Sequence, residues 1–127
     1  ANGYSILVVD DNHDAAITLA MFLRLKKYDV HTRHSGAEAL EAVITLQPAV
    51  VLLDIGMPGM DGYETARQIR RLPQGETALL IALTGYGQDE DRRRSAEAGF
   101  DGHLVKPVDL PTLLHLLATH HAAQPGA

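Results

Sequence analysis

The sequence predicts an α/β protein in which a five-stranded parallel sheet is covered by helices on both faces. Apolar segments of strand length alternate five times with amphipathic segments of helix length, which indicates right-handed βαβ units. Two of the apolar segments, 49–53 and 78–83, carry no polar residue, as is typical of central parallel strands buried on both faces. The 127 residues, 46% of them hydrophobic, are enough for one packed domain.

The elements can be assigned in chain order. The predicted strands are 6–9, 29–33, 49–53, 78–83 and 102–105. Asn12 is placed to cap the first helix, Ser35 and Gly36 begin the second, and Asp109 caps the fifth. The third helix is predicted at 63–71, after a Gly- and Pro-rich loop at 56–62, and the fourth at 89–98. Because the last residues are small and polar, we expect one domain over 1–127 with its core at about 4–120.

Apolar spacing predicts which face of a helix packs on the sheet. In the first helix the residues at this spacing are Ile17, Ala20, Met21 and Leu25. In the second helix they are Ala39, Leu40, Val43 and Ile44. In the fifth helix they are Leu110, Leu113, Leu114 and Leu117. We expect the Arg92–94 run to be a solvated helix face and four histidines to be solvent-exposed, namely His31, His34, His120 and His121.

Composition and charge exclude several classes of protein. The chain has no cysteine, which excludes disulfides and thiolate metal sites and is typical of a reducing compartment, so we expect a cytoplasmic location. The net charge of −5 argues against direct binding of nucleic acid. No apolar run approaches the roughly 18–20 residues of a membrane helix, and no signal peptide is visible. We therefore expect no membrane association and no second domain.

Four of the five predicted strands end in a residue that can do chemistry. Asp10 and Asp11 follow the first strand, Asp54 the third, Thr84 the fourth and Lys106 the fifth. In an open parallel sheet, ligands bind at the carboxyl ends of the strands near a switch in strand order. If the first and third strands are neighbours, the three carboxylates converge on one point.

Converging carboxylates favour a metal ion and phosphoryl chemistry. At roughly 4 Å, each carboxylate pair costs on the order of 4 kcal/mol at an effective dielectric constant near 20. Mg²⁺, or Mn²⁺ in its place, suits the three aspartates together with the backbone carbonyl of Gly56. A carboxylate can also attack a phosphoryl group and form an aspartyl-phosphate. Asp54 is the best candidate, with Lys106 supplying a fixed positive charge and Thr84 a hydroxyl for a phosphate oxygen.

These residues, in this order, resemble the receiver domains of two-component response regulators. The matching segments are ILVVDDN at 6–12, LLDIGMPGMDG at 52–62, ALTG at 82–85 and LVKP at 104–107. The resemblance implies a three-layer flavodoxin-like (βα)5 fold with sheet order 2-1-3-4-5 and a cis Lys106–Pro107 bond. It implies Mg²⁺-dependent phosphorylation of Asp54 by a phosphohistidine of a sensor kinase or phosphotransfer protein. Such a domain is not an enzyme beyond catalysing its own phosphorylation and dephosphorylation.

The resemblance also implies a switch, and here the sequence departs from the family. Thr84 and an aromatic residue on the fifth strand reorient after phosphorylation and change the face formed by the fourth helix, fifth strand and fifth helix, which is also a possible homodimer surface. His103 stands at the aromatic position, a substitution associated with receivers of hybrid histidine kinases. We hypothesise that the output depends on pH through His103. Gly56 and Tyr86 occupy positions that tune dephosphorylation.

Three other functions remain to be separated from this one. A phosphatase of the haloacid-dehalogenase kind uses a similar residue set, but it needs Asp-x-Asp after the first strand, and here the acids are adjacent. A flavin-binding module would need a Ser-, Thr- and Gly-rich loop at that point, where this chain has acids that repel phosphate. A degenerate receiver would dock partners without phosphorylation.

Overall fold

The computed structural model describes residues 4–85 and 89–124, and from residues 89–92 the backbone only. Within these residues, strands and helices alternate as the sequence predicts. The strands are β1 (Ser5–Val9), β2 (Asp29–Arg33), β3 (Val50–Asp54), β4 (Leu79–Thr84) and β5 (Gly102–Val105). The helices are α1 (His13–Leu25), α2 (Gly36–Leu46), α3 (Gly62–Arg71), α4 (Asp89–Ala98) and α5 (Leu110–Ala122). A 3-10 turn at Pro73–Gly75 separates α3 from β4.

All strand pairs are parallel and the sheet order is β2-β1-β3-β4-β5, so the predicted fold class is confirmed. The order reverses beside β1, which places β1 against β3 with Val9 opposite Leu53. β3 and β4 each run one residue further than predicted and take in Asp54 and Thr84 as their last residues. The carboxyl ends of β1, β3, β4 and β5 therefore lie side by side.

The sheet separates two hydrophobic cores. One face carries α2, α3 and α4, whose buried side chains include Val43, Ala66 and Ile69. The other carries α1 and α5, whose buried side chains include Leu23 and Leu113. Because β1 and β3 are buried at every position, they are held rigidly from both sides. This rigidity fixes the position of the residues that follow each strand.

The helices begin where side-chain caps predict. The side-chain oxygens of Asn12, Ser35 and Asp109 each accept a hydrogen bond from a backbone N–H in the first turn, at 3.1, 3.1 and 3.2 Å. Asp61 caps α3 in the same way. Such caps satisfy N–H groups that the helix itself leaves unpaired.

The predicted buried face of α1 is confirmed at Ala20 and wrong at its other three residues. The helix packs on the sheet through Ala16, Ala20 and Leu23. Ile17, Met21 and Leu25 are instead 46%, 58% and 77% exposed. Apolar residues occur all around α1, so spacing does not decide its face, and the small Ala side chains allow a closer approach to the sheet. Of the α2 stripe, Ile44 is likewise exposed, at 43%.

The histidines predicted to be solvent-exposed are partly buried. The ring of His34 stacks on that of His13, with centroids 3.6 Å apart. His121 stacks on Tyr4 in the same way at 4.0 Å, and His120 Nδ1 lies 2.9 Å from the Tyr4 hydroxyl. Burial raises the pKa of Tyr4 to about 12, so the Tyr4 hydroxyl keeps its proton. α5 is thereby fastened to the start of β1 through its last turn.

In the described residues, no helix combines the length and the apolar character that crossing a membrane requires.

Candidate functional site

The site lies where the ends of β1, β3, β4 and β5 meet. Asp10 follows β1, Asp54 ends β3, Thr84 ends β4 and Lys106 follows β5. The Lys106 backbone N–H donates to the Thr84 carbonyl at 2.7 Å, which carries the β4–β5 pairing one residue beyond the strands. The Lys106–Pro107 peptide bond is cis, as the resemblance implies.

Lys106 is the cationic centre of the site. Its Nζ lies 3.0 Å from Asp10 Oδ2 and 3.4 Å from Asp54 Oδ1. The side chain is 35% exposed, whereas those of Asp10 and Asp54 are 4% and 11% exposed. Ion pairs of this depth are screened less by water than surface pairs. One ammonium group thus balances two nearly buried carboxylates.

Backbone groups complete the hydrogen bonding of the two buried carboxylates. The N–H of Asn12 donates to Asp10 Oδ1 at 3.0 Å, and the N–H of Gly56 donates to Asp54 Oδ1 at 3.1 Å. Both donors lie two residues beyond their acceptor, so each loop folds back on the strand end that it leaves. This arrangement fixes the carboxylates before any ligand binds.

Asp11 is exposed, and it completes a cluster of three carboxylates. Asp10, Asp11 and Asp54 each offer an oxygen, and these oxygens lie within 4.8 Å of one another. With one lysine among them, the cluster keeps an excess of negative charge. A hard divalent cation with oxygen ligands suits such a donor set.

The titration of the site reflects this crowding. Burial raises the pKa of Asp54, the nearby Asp10 carboxylate raises it further, and the Gly56 N–H and Lys106 oppose the rise. For Lys106, burial alone would lower the pKa, but the hydrogen bond to Asp10 and the charge of Asp54 outweigh burial and raise it. Lys106 therefore remains charged, and Asp54 is a carboxylate whose basicity burial increases.

A cavity of about 440 Å³ opens in front of Asp54, and Thr84, Gly85 and Lys106 line it. Gly56 lines it too. A side chain at this position would place its Cβ 3.6 Å from Asp54 Oδ1, which is an ordinary van der Waals contact. The cavity is wide enough for a phosphoryl group, and the Thr84 side chain, 2% exposed, belongs to its wall. Asp54, Thr84, Lys106 and Gly56 are thus gathered around one space.

Two further residues line this cavity that the sequence reasoning did not connect with the site. Tyr63, near the start of α3, is 5% exposed, and Arg94 comes from α4. The guanidinium carbon of Arg94 stands 4.2 Å from the centroid of the Tyr63 ring. The sequence signal was the Arg92–94 run, which was assigned to a solvated face.

Of the predicted switch and tuning residues, His103 is not among the described residues that line the cavity in front of Asp54. His103 is partly buried on β5, opposite Ala82, and lines a separate cavity of about 210 Å³ between α4 and β5. The Ser95 hydroxyl, also in that lining, is buried with no hydrogen-bond partner among the described residues. Tyr86 lies outside the described residues.

Comparison with known proteins gives one consistent result. The family model described as response regulator receiver domain matches residues 6–118. A 14.6 kDa protein of Leptolyngbya boryana is 38% identical over 94% of this chain and 92% of its own length. The response regulator MprA of Mycobacterium ulcerans is 37% identical over 86% of this chain but only 46% of its own length. The chain thus spans less than half of that longer relative.

Similar solved structures include one receiver domain with a bound magnesium ion and one with a bound protein. The receiver domain of a sensor histidine kinase from Pseudomonas aeruginosa, with a magnesium ion coordinated in its active site cleft, is 29% identical with a TM-score of 0.86, over 95% of this chain and 99% of its own. The receiver domain of Ssk1 from Saccharomyces cerevisiae, crystallised with the histidine phosphotransfer protein Ypd1, is 26% identical with a TM-score of 0.84, over 91% and 86%.

Proposed function

This chain belongs to the response regulator receiver domain family of two-component signalling, and we propose that Asp54 accepts a phosphoryl group from a phosphohistidine. The observation that carries the proposal is the position of Asp54, with its Oδ1 3.4 Å from Lys106 Nζ and its carboxylate in one cluster with Asp10 and Asp11. Asp54 also borders a cavity that can admit the phosphoryl group.

The transfer is a displacement at phosphorus. A carboxylate oxygen of Asp54 forms the new P–O bond while the P–N bond to the donor imidazole breaks. The electron pair of that bond passes to the imidazole nitrogen, which takes up a proton from water, so the donor histidine is released as a neutral imidazole. Hydrolysis later breaks the P–O bond of the aspartyl-phosphate and returns the carboxylate.

The residues of the cluster fit a divalent metal ion. Asp10, Asp11 and Asp54 supply carboxylate oxygens, and the Gly56 carbonyl is the fourth proposed ligand. The fit rests on the excess of negative charge that one lysine leaves in the cluster, and the Mg²⁺-bound Pseudomonas receiver supports the choice of metal. When bound, Mg²⁺, or Mn²⁺ in its place, neutralises charge on the phosphoryl oxygens.

Lys106 and Thr84 act on the transferred group. Lys106 is held by two carboxylates, so its ammonium group is already oriented toward the cavity before the phosphoryl group arrives. The Thr84 hydroxyl donates to a phosphoryl oxygen, and its movement begins the change in the face made by α4, β5 and α5. That face is the proposed output and homodimer surface, with His103 at its centre. Gly56 and Tyr86 set the lifetime of the aspartyl-phosphate.

The exposed stripe Ile17, Met21 and Leu25 is the docking site for the phosphohistidine donor. It runs along α1, which begins directly after the acidic loop of the site. A mostly apolar cavity of about 500 Å³ opens on the neighbouring side of α1, lined by Leu19, Phe22 and Pro107 among others. A helical phosphotransfer domain laid along α1 would bury both surfaces and bring its histidine to Asp54. The Ypd1 complex of another receiver supports a partner of this class.

Incubation with acetyl phosphate and Mg²⁺, followed by intact-mass measurement, tests the proposal. We expect a mass gain of one phosphoryl group in the wild type and none in Asp54→Ala. Asp61→Ala removes an aspartate that caps α3 instead, and it should still be phosphorylated. No gain in the wild type, or an equal gain in Asp54→Ala, would overturn the proposal. Sustained hydrolysis of a generic phosphomonoester would instead identify a turnover enzyme.

A further inference from the structure

A second cation stands at the cavity in front of Asp54. Arg94 lines this cavity together with Asp54, Thr84 and Lys106, although it comes from α4 rather than from a strand end. Its guanidinium carbon lies over the ring of Tyr63, 4.2 Å from the ring centroid. Tyr63 is 5% exposed and packs in the core beneath α3, so the ring is a fixed platform.

Contact with the ring face positions Arg94 without using its hydrogen-bond donors. A guanidinium group over an aromatic ring uses its flat face, while its N–H groups point outward in the plane of the group. No carboxylate of the described residues forms an ion pair with Arg94, in contrast to Arg67 with Glu64 and Arg70 with Asp101. Contact with the ring face does not use the N–H donors of Arg94, so a ligand in the cavity can accept from them.

The charge of the site calls for such a donor. Lys106 already pairs with two carboxylates, so its charge is shared before a phosphoryl group arrives. A phosphoryl group adds close to two negative charges and three acceptor oxygens at neutral pH. Arg binds such oxygens through a planar pair of donors, which a lysine cannot offer.

We propose that Arg94 is a phosphate-binding residue of this site, which donates hydrogen bonds to the phosphoryl oxygens of the donor at the mouth of the cavity. Tyr63 is its positioning residue, because the ring holds the guanidinium group in place. The proposal rests on the proposed phosphorylation of Asp54 and deepens it. It predicts that Arg94 contributes mainly to binding of the phosphoryl donor, and less to the chemical step at Asp54.

The test is phosphorylation by acetyl phosphate with Mg²⁺, measured over a range of donor concentrations in Arg94→Ala and Arg93→Ala. The two variants lose the same charge from adjacent, exposed positions of α4. Arg94→Ala should lower the rate at limiting acetyl phosphate by about tenfold, the worth of one charge-assisted hydrogen bond, with the rate at saturation little changed. Arg93→Ala should behave as the wild type, and Arg94→Lys should recover part of the loss. Equal rates in Arg94→Ala and Arg93→Ala would overturn the proposal.

A second measurement separates this proposal from the phosphorylation of Asp54. Inorganic phosphate is titrated into the wild type and into Asp54→Asn while the NMR signal of the Arg94 Nε–H group is followed. A saturable shift of that signal, without one at Arg93, supports phosphate binding by Arg94 even if acetyl phosphate fails to phosphorylate the chain. If Asp54 is phosphorylated but the Arg94 signal does not move, only the role of Arg94 is overturned.

Discussion

The ammonium group of Lys106 lies 3.0 Å from the carboxylate of Asp10, a residue that stands ninety-six positions earlier in the chain. The contact joins the first and last strands of the site across β3 and β4. Because Asp54 lies between them, 3.4 Å from the same nitrogen, one side chain connects the proposed metal-binding acid Asp10 with the proposed phosphoacceptor Asp54. Loss of Lys106 would therefore remove the ammonium group that both carboxylates share.

Replacing Lys106 with Met should change both the pKa of Asp54 and the rate of its phosphorylation. The Asp54 pKa, already raised by burial, should rise further because Lys106 no longer stabilises the charged form. Phosphorylation by acetyl phosphate should fall by about a hundredfold, as for loss of one preorganised donor to a developing charge. The pKa is followed by carboxyl-carbon NMR and the rate by intact mass. Lys26→Met, which removes an equal charge at the end of α1, should leave both unchanged.

Replacing Asp11 with Asn should remove stabilisation by the metal ion. At a Mg²⁺ concentration one hundred times its Kd, binding adds about 2.7 kcal/mol to the free energy of unfolding of the wild type. Asp11→Asn should lose most of that gain, yet be slightly more stable than the wild type in EDTA, since one repelling carboxylate is gone. Melting temperatures with Mg²⁺ and with EDTA measure both effects. Glu41→Gln, at an exposed position of α2, is the control, and an undiminished Mg²⁺ gain in Asp11→Asn would contradict the metal assignment.

Replacing Met21 with Glu should weaken phosphorylation by a protein donor but not phosphorylation by acetyl phosphate. Met21 is 58% exposed in the middle of the apolar stripe on α1, so its loss costs little stability, while a charge there would be buried under a docked partner. With a phosphotransfer domain that phosphorylates the wild type, kcat/KM should fall at least about tenfold, or 1.4 kcal/mol. The rate with acetyl phosphate should not change. Ile44→Glu, exposed on α2 on the opposite face of the sheet, should affect neither donor.

The stability of the fold should depend on pH through His120. Burial lowers the pKa of His120 from its ordinary value of 6.5, against a smaller opposing effect of Asp101. The unfolded chain therefore binds a proton at a higher pH than the folded one, so the free energy of unfolding falls as the pH drops below 6.5 and stops falling below the folded pKa. Tyr4 donates its hydroxyl proton to the Leu117 carbonyl, which makes His120 Nδ1 the donor to Tyr4.

Urea unfolding between pH 5 and 8 measures this dependence. His120→Gln should flatten the slope below pH 6.5 relative to the wild type. His115→Gln, at an exposed position of the same helix, should keep the wild-type slope. Identical slopes in the two variants would show that the contact between Tyr4 and His120 does not govern the titration.

The strand ends were predictable because two simple facts combine. An apolar run followed by Asp, Thr or Lys marks the end of a parallel strand, and a parallel sheet brings such ends together whatever their separation in sequence. Asp10 and Lys106 could therefore be assigned to one site without a structure. The buried face of α1 could not be predicted, because Ile17 and Leu23 are equally apolar and only packing distinguishes them. The place of Arg94 at the cavity could not be predicted either, because it depends on a ring from α3.

Arg70 should stabilise the fold substantially, although it lies outside the site. Its guanidinium group donates to the carbonyls of Gly99 at 2.9 Å, Gly75 at 3.0 Å and Ala78 at 2.7 Å, and to the Asp101 carboxylate at 2.8 Å. These bonds join the end of α3 to the loops that precede β4 and β5. Arg70→Ala should lower the free energy of unfolding in urea by about 3 kcal/mol, because several partly buried acceptors lose a charged donor.

Arg67→Ala is the control for Arg70→Ala, because it removes an arginine from the preceding turn of the same helix. Among the described residues, Arg67 pairs with Glu64 alone, at 3.1 Å, and both side chains are more than 40% exposed, so the change should be under about 0.5 kcal/mol. Phosphorylation of Asp54 by acetyl phosphate should survive Arg70→Ala at low temperature, since Arg70 does not line the cavity. A loss of phosphorylation in folded Arg70→Ala would mean that the loop holding β5 also positions Lys106, which follows that strand by one residue.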